Sequence, residues 1–153
     1  MRKFIVLFVI SAFFIFVISA FFIATGEKTQ DATVLQKAFD ANAEDTVYFA
    51  FGSYSLIDDA KEALDTQVKW LKNHEKVNVV VQGYCDERED KEYNLALGER
   101  RANAIKSYMV ANGIAADRVA IISYGNARPA VLGDNEVARA ANRRAVTVVA
   151  PYN

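Results

Sequence analysis

The sequence predicts an α+β sandwich, in which helices pack on one face of a mixed sheet in the order β-α-β-α-β-(loop)-β, preceded by an amino-terminal apolar helix. Three observations predict it. Four short runs rich in β-formers, at 46–52, 77–83, 117–125 and 143–151, each end at glycine or proline. Two longer stretches between them repeat apolar residues at helical spacing. The third and fourth strands are separated by "NARPAVLGDNEVARAAN", which reads as a loop with one helical turn near Glu136–Ala141. A sheet covered by helices on one side follows from that order.

The elements are taken in order. Arg2 and Lys3 precede residues 4–24, which contain no charged side chain. Within that run "FVISAFFI" occurs twice in tandem, at 8–15 and 16–23. One copy would leave about 13 apolar residues, the length of a signal-peptide core. Two give about 21, enough to span a bilayer as a helix. Residues 1–25 are therefore expected to be a membrane anchor or signal segment, with the positive end on the cytoplasmic side and the rest exported. Ile18-Ser19-Ala20 matches the start of a lipobox, but Phe21 stands where its cysteine would be. The run also lacks any ionisable group that could carry protons through a membrane.

Residues 26–45 are polar and weakly helical around Val34–Phe39, and are expected to be a linker with a short helix. Residues 46–153 are expected to form the globular domain. "TVYFAFG", 46–52, is the first strand. In 55–76, Leu56, Ala60, Leu64, Val68 and Leu71 form one stripe, which Trp70 broadens, and Ser55 is the expected N-cap. "VNVVVQG" is the second strand. The second helix, 92–112, stops at Asn112-Gly113.

Composition narrows the function. The single cysteine, Cys85, precludes an intrachain disulfide, and a single histidine, His74, is too few for a histidine metal cluster or a Ser-His-Asp triad. Cys85 has no adjacent base in the sequence, so it reads as a small, partly buried residue and not as a nucleophile. A net charge of -1 gives no field to attract nucleic acid. No pair of catalytic groups, no calcium-loop spacing and no cofactor motif stands out, so neither an enzyme nor a metal site is expected.

The informative residues surround the second helix. Asn94, Leu97, Arg101, Ile105 and Tyr108 share one stripe, which puts Arg101 among residues that face the sheet. A guanidinium there needs a partner, because an unpaired buried charge is too costly. Asp86 is the leading protein candidate. It follows the second strand, in a segment where five of the seven residues from Asp86 to Glu92 are acidic. The two could form a structural ion pair. They could instead be the anionic and cationic walls of a pocket for a zwitterion, with Arg101 gripping a carboxylate and Asp86 accepting from an ammonium. Arg143 and Arg144 are expected to pair with acidic neighbours such as those at 86–92.

"GYCDERED-KEYNLALGERRANAIKSYM" resembles the OmpA-like peptidoglycan-binding family, in which a Gly-His-x-Asp turn precedes Asn-x-x-Leu-(Ser/Gly)-x-x-Arg-Ala. "VYFAFGSYSL", "ISYGNARPAVLGDNE" and "NRRAV" are similar to that family's peptidoglycan-associated lipoprotein branch. The resemblance covers 46–149. It implies binding of peptidoglycan through the diaminopimelate residue of the stem peptide, with Asp86 and Arg101 on the ligand, Asn94 holding the loop and Leu97 lining the site. It also implies a bacterial envelope protein with a periplasmic domain, a TolB-like periplasmic partner, and a role in the Tol-Pal system, envelope integrity and cell division. An outer-membrane location is implied by the resemblance, and an inner-membrane anchor by the missing lipobox cysteine. Several positions depart from the pattern: Ala50 and Gly52 replace two aspartates, Tyr84 replaces a histidine, Cys85 stands at the small residue before Asp86, Glu89 replaces a glycine, and the missing amino-terminal cysteine is the largest departure. A flagellar-stator-like subunit is the alternative, disfavoured because such a subunit needs an aspartate in its membrane helix.

Overall fold

The structure, a computed structural model, describes residues 31–150. The apolar run 4–24 lies outside the described residues. Among the described residues no helix is long and apolar enough to cross a membrane.

A first helix, α1, covers 31–42. Its Phe39 is fully buried and meets the Trp70 ring edge-on at 5.1 Å. The stretch expected to be a linker thus packs into the core. The other elements are β1 (Thr46–Tyr48), α2 (Asp58–Asn73), β2 (Val79–Tyr84), α3 (Lys91–Ala111), β3 (Val119–Gly125), α4 (Glu136–Asn142) and β4 (Arg144–Val149). They make one four-stranded sheet of order β1-β4-β2-β3. The β2–β3 pair is parallel, and β4 runs antiparallel to both β1 and β2. The α+β sandwich expected from the sequence is present.

Alternation along the strands explains why the helices lie on one side. Val47, Val79, Val81, Val119, Ala145 and Val149 are buried, whereas Tyr48 and Ile122 are exposed. On α2 the stripe Ala60, Leu64, Val68 and Leu71 is buried, with Trp70 beside it. Ser55 is not the N-cap. The helix starts after Ile57, without a side-chain cap, and its first turn carries Asp58 and Asp59, which suit the positive end of the dipole. β1 is shorter than expected because the chain leaves the sheet after Tyr48 and turns toward the site.

The α3 helix determines the site's geometry. A methyl added at Gly83 of β2 would run into the Gly98 carbonyl, and one at Gly98 into the Ser123 hydroxyl. Helix and strand backbones therefore meet here with no side chain between them. The register also shifts between Gly83 and Tyr84, where β2 gives way to the site loop.

Candidate functional site

The site loop runs from the end of β2 into α3. Asp90 caps α3, its Oδ1 accepting from the Tyr93 amide at 2.7 Å. One turn in, the Asn94 Nδ2 donates to the Arg88 carbonyl at 2.6 Å and to the Glu89 carbonyl at 3.4 Å. Asn94 thus fastens the loop to the helix. Glu89 has φ +68, the left-handed region, at the position where the family pattern has glycine.

Asp86, Asn94, Leu97 and Arg101 line one pocket together with Phe51, Gly52, Cys85, Arg88, Glu89 and Tyr93. Its floor is buried, and Phe51, Glu89 and Tyr93 form the exposed rim. The cleft is narrow, and its interior leaves space for about one water.

Asp86 and Arg101 are not paired with each other, which corrects the expectation that Asp86 answers Arg101's charge. Arg101 is completely buried, and its guanidinium donates to three backbone carbonyls: Nε to Ser53 at 2.8 Å, Nη1 to Tyr84 at 2.8 Å and Nη2 to Ala50 at 3.1 Å. These oxygens belong to the turn after β1 and the end of β2, so Arg101 ties both to α3. Three of its five N–H groups are accounted for in this way, leaving donors on the two terminal nitrogens. The Phe49 ring lies 5.2 Å from the guanidinium carbon. Burial pulls the Arg101 pKa down from its ordinary value. Its direct partners are neutral carbonyls, and Asp86 acts on its charge only through space, without a hydrogen bond or ion pair.

Asp86 finds its cations elsewhere. Its Oδ1 accepts from the Arg88 amide at 3.1 Å and from Arg88 Nε at 3.2 Å. Its Oδ2 accepts from Arg88 Nη2 at 2.7 Å and from Arg143 Nη1 at 3.4 Å. Burial alone would push the Asp86 carboxyl up. The Arg88 and Arg143 hydrogen bonds outweigh it and hold the carboxyl below the ordinary carboxylate range. Arg143 also binds Glu136 at 2.7 Å and the Phe49 carbonyl at 3.0 Å, so its expected pairing with acidic neighbours holds. That expectation fails for Arg144, which stacks on the Tyr84 ring at 3.9 Å and has no carboxylate partner among the described residues.

Two other members of the acidic run have structural partners. Glu87 pairs with Arg139 at 2.6 Å and Asp90 is a cap. Cys85 is buried, its thiol donates to the Asn94 carbonyl at 3.2 Å, and burial raises its pKa. A thiol held protonated in this way is a poor nucleophile. Sequence reasoning missed Arg88 and Phe51. Arg88 sits two residues after Asp86, the spacing of an Asx turn, and that spacing was the available signal.

Residues 48–143 match the OmpA family. The chain belongs to the OmpA family, a class of non-enzymatic binding domains. Within it, the chain is similar to proteins named peptidoglycan-associated lipoprotein. That of Brucella melitensis is 38% identical over 126 residues, covering 82% of this chain and 71% of the relative. That of Pasteurella multocida is 46% identical over 101 residues, covering 66% of this chain and 67% of the relative. The crystal structure of the Burkholderia pseudomallei lipoprotein superposes with a TM-score of 0.68 at 38% identity, over 69% of this chain and 90% of that one. The carboxy-terminal domain of Helicobacter pylori MotB superposes with a TM-score of 0.65 at 19% identity, over 71% of this chain and 85% of that one, a likeness of fold alone.

Proposed function

We propose that this chain binds peptidoglycan non-covalently through the zwitterionic free end of diaminopimelate in the stem peptide. Arg101 takes the carboxylate with donors on its two terminal nitrogens, and Asp86 takes the ammonium. Asn94 holds the loop that carries Asp86, and Leu97 supplies an apolar wall. By tethering a bacterial envelope membrane to the wall, the chain acts as a component of the Tol-Pal type, with a TolB-like periplasmic partner. Its globular domain, which includes α1, lies in the periplasm, and residues 1–25 serve as a membrane anchor or signal segment.

One observation carries this reading: a buried aspartate and a buried arginine line the same pocket without neutralising each other. The names of the relatives support it. The test is pull-down of the chain by purified sacculi. A charge-assisted hydrogen bond contributes about 1.5–3 kcal/mol, so Arg101→Ala is expected to weaken binding about tenfold to a hundredfold. Arg101→Lys weakens it too, because one ammonium cannot copy the two-point fork. Arg101 also ties three carbonyls together, so circular dichroism has to show that each variant is folded. The ligand-side counterpart needs no variant: a stem peptide whose distal carboxylate is amidated should bind more weakly by a similar factor. Equal binding of both peptides refutes the assignment.

A further inference from the structure

We infer that Arg88 is an internal competitor for the ligand's ammonium: its guanidinium occupies the seat on Asp86, and binding exchanges one cation for another. The inference rests on the reading of the site proposed above and adds to it the residue that determines affinity.

The argument begins with the acceptors. A carboxylate offers about four lone-pair positions. On Asp86, Oδ1 receives the Arg88 amide and Arg88 Nε, while Oδ2 receives Arg88 Nη2 and Arg143 Nη1. All the positions are occupied, so an incoming ammonium has to displace a donor. The backbone amide of Arg88 is held with the loop by the Asn94 bond to the Arg88 carbonyl. Arg143 is anchored twice more, to the Phe49 carbonyl and to Glu136, and only 9% of its side chain is exposed.

The Arg88 side chain is the displaceable donor. It is 31% exposed, and its contacts are the two-point bond to Asp86 and the Phe51 ring, 3.9 Å from its guanidinium carbon. Phe51 is itself 55% exposed and has room to move. The interior of the pocket leaves space for about one water, so a ligand end carrying both an ammonium and a carboxylate cannot enter past a seated Arg88. Once Arg88 swings outward, the seat, the space and the route to Arg101 become available together. A protonated amine replaces the lost charge on Asp86, whereas a neutral group leaves a buried carboxylate short of its partner.

The experiment uses the full chain in detergent micelles, titrated by calorimetry with a synthetic stem peptide whose diaminopimelate end is free. Arg88→Ala removes the competitor and should bind about twofold to fivefold tighter, the range set by a partly exposed ion pair. Arg88→Lys, which keeps a cation but loses the two-point contact, should fall between. In the wild-type chain, the Arg88 Nε–H resonance should move to a solvent-exposed position as the peptide saturates the site. A merely structural Arg88 would instead give weaker binding in Arg88→Ala and an unmoved resonance, and either result overturns the inference. If the wild-type chain does not bind the free peptide, the reading of the site fails. If it binds and Arg88→Ala binds equally or more weakly, only the competitor role fails.

Discussion

Arg101 shows how far single residues can be read. Its place in a helical stripe put it against the sheet, and there it lies. Its partners could not be read, because they are main-chain oxygens of residues 50, 53 and 84, brought together only by the fold. Asp86 carries a pH dependence with a definite sign. Its folded pKa lies below the unfolded one, so its contribution to stability is complete above the ordinary carboxylate value and disappears as pH falls through the folded value. Thermal melts of the wild-type chain should lose midpoint as pH drops from about 5 toward 2. Asp86→Asn should start lower at neutral pH and show a flatter fall. Glu89 is the strained residue of the site loop. A left-handed non-glycine conformation costs roughly 1–2 kcal/mol, partly offset in glycine by its freer unfolded chain. Glu89→Gly is therefore expected to stabilise the domain by about 0.5–1 kcal/mol in urea denaturation.

Among the elements, α2, α3 and the strands were legible from periodicity, because one face of each is buried. Their ends were less so. Ser55 had the right chemistry for an N-cap, but its own amide bonds Ser53 Oγ, and the helix begins three residues later. The placement of β4 between β1 and β2 could not be read, since strand order depends on pairings between residues far apart in sequence. The contact between α3 and β2 was also hidden. Gly83 looked like a strand terminus and Gly98 like a family motif, yet each exists to let the other backbone approach. Gly98→Ala should push α3 away from Ser123 and from the loop that Asn94 holds, destabilising the domain by about 1–3 kcal/mol. Chemical denaturation measures the loss, and a loss below about 0.5 kcal/mol would show that the backbones can part freely.

For the molecule as a whole, the core extends beyond the stretch that resembled a domain. Phe39 is buried against Trp70, and Gln36 accepts from the Val149 amide at 2.7 Å, so α1 is joined to the last strand. Phe39→Ala is expected to cost about 3–5 kcal/mol of stability, as for other buried aromatic truncations. On the proposed function, many copies anchored on one membrane and facing one polymer would hold firmly even where each contact is weak. The account as a whole depends on two opposite charges, at positions 86 and 101, kept apart for a ligand that carries both signs. Calorimetric titration of the full chain with three stem peptides tests this most directly: one with the diaminopimelate end free, one with its amine acetylated and one with its carboxylate amidated. The account predicts that the free peptide binds at least about tenfold more tightly than either blocked form. Equal affinity for all three would contradict it.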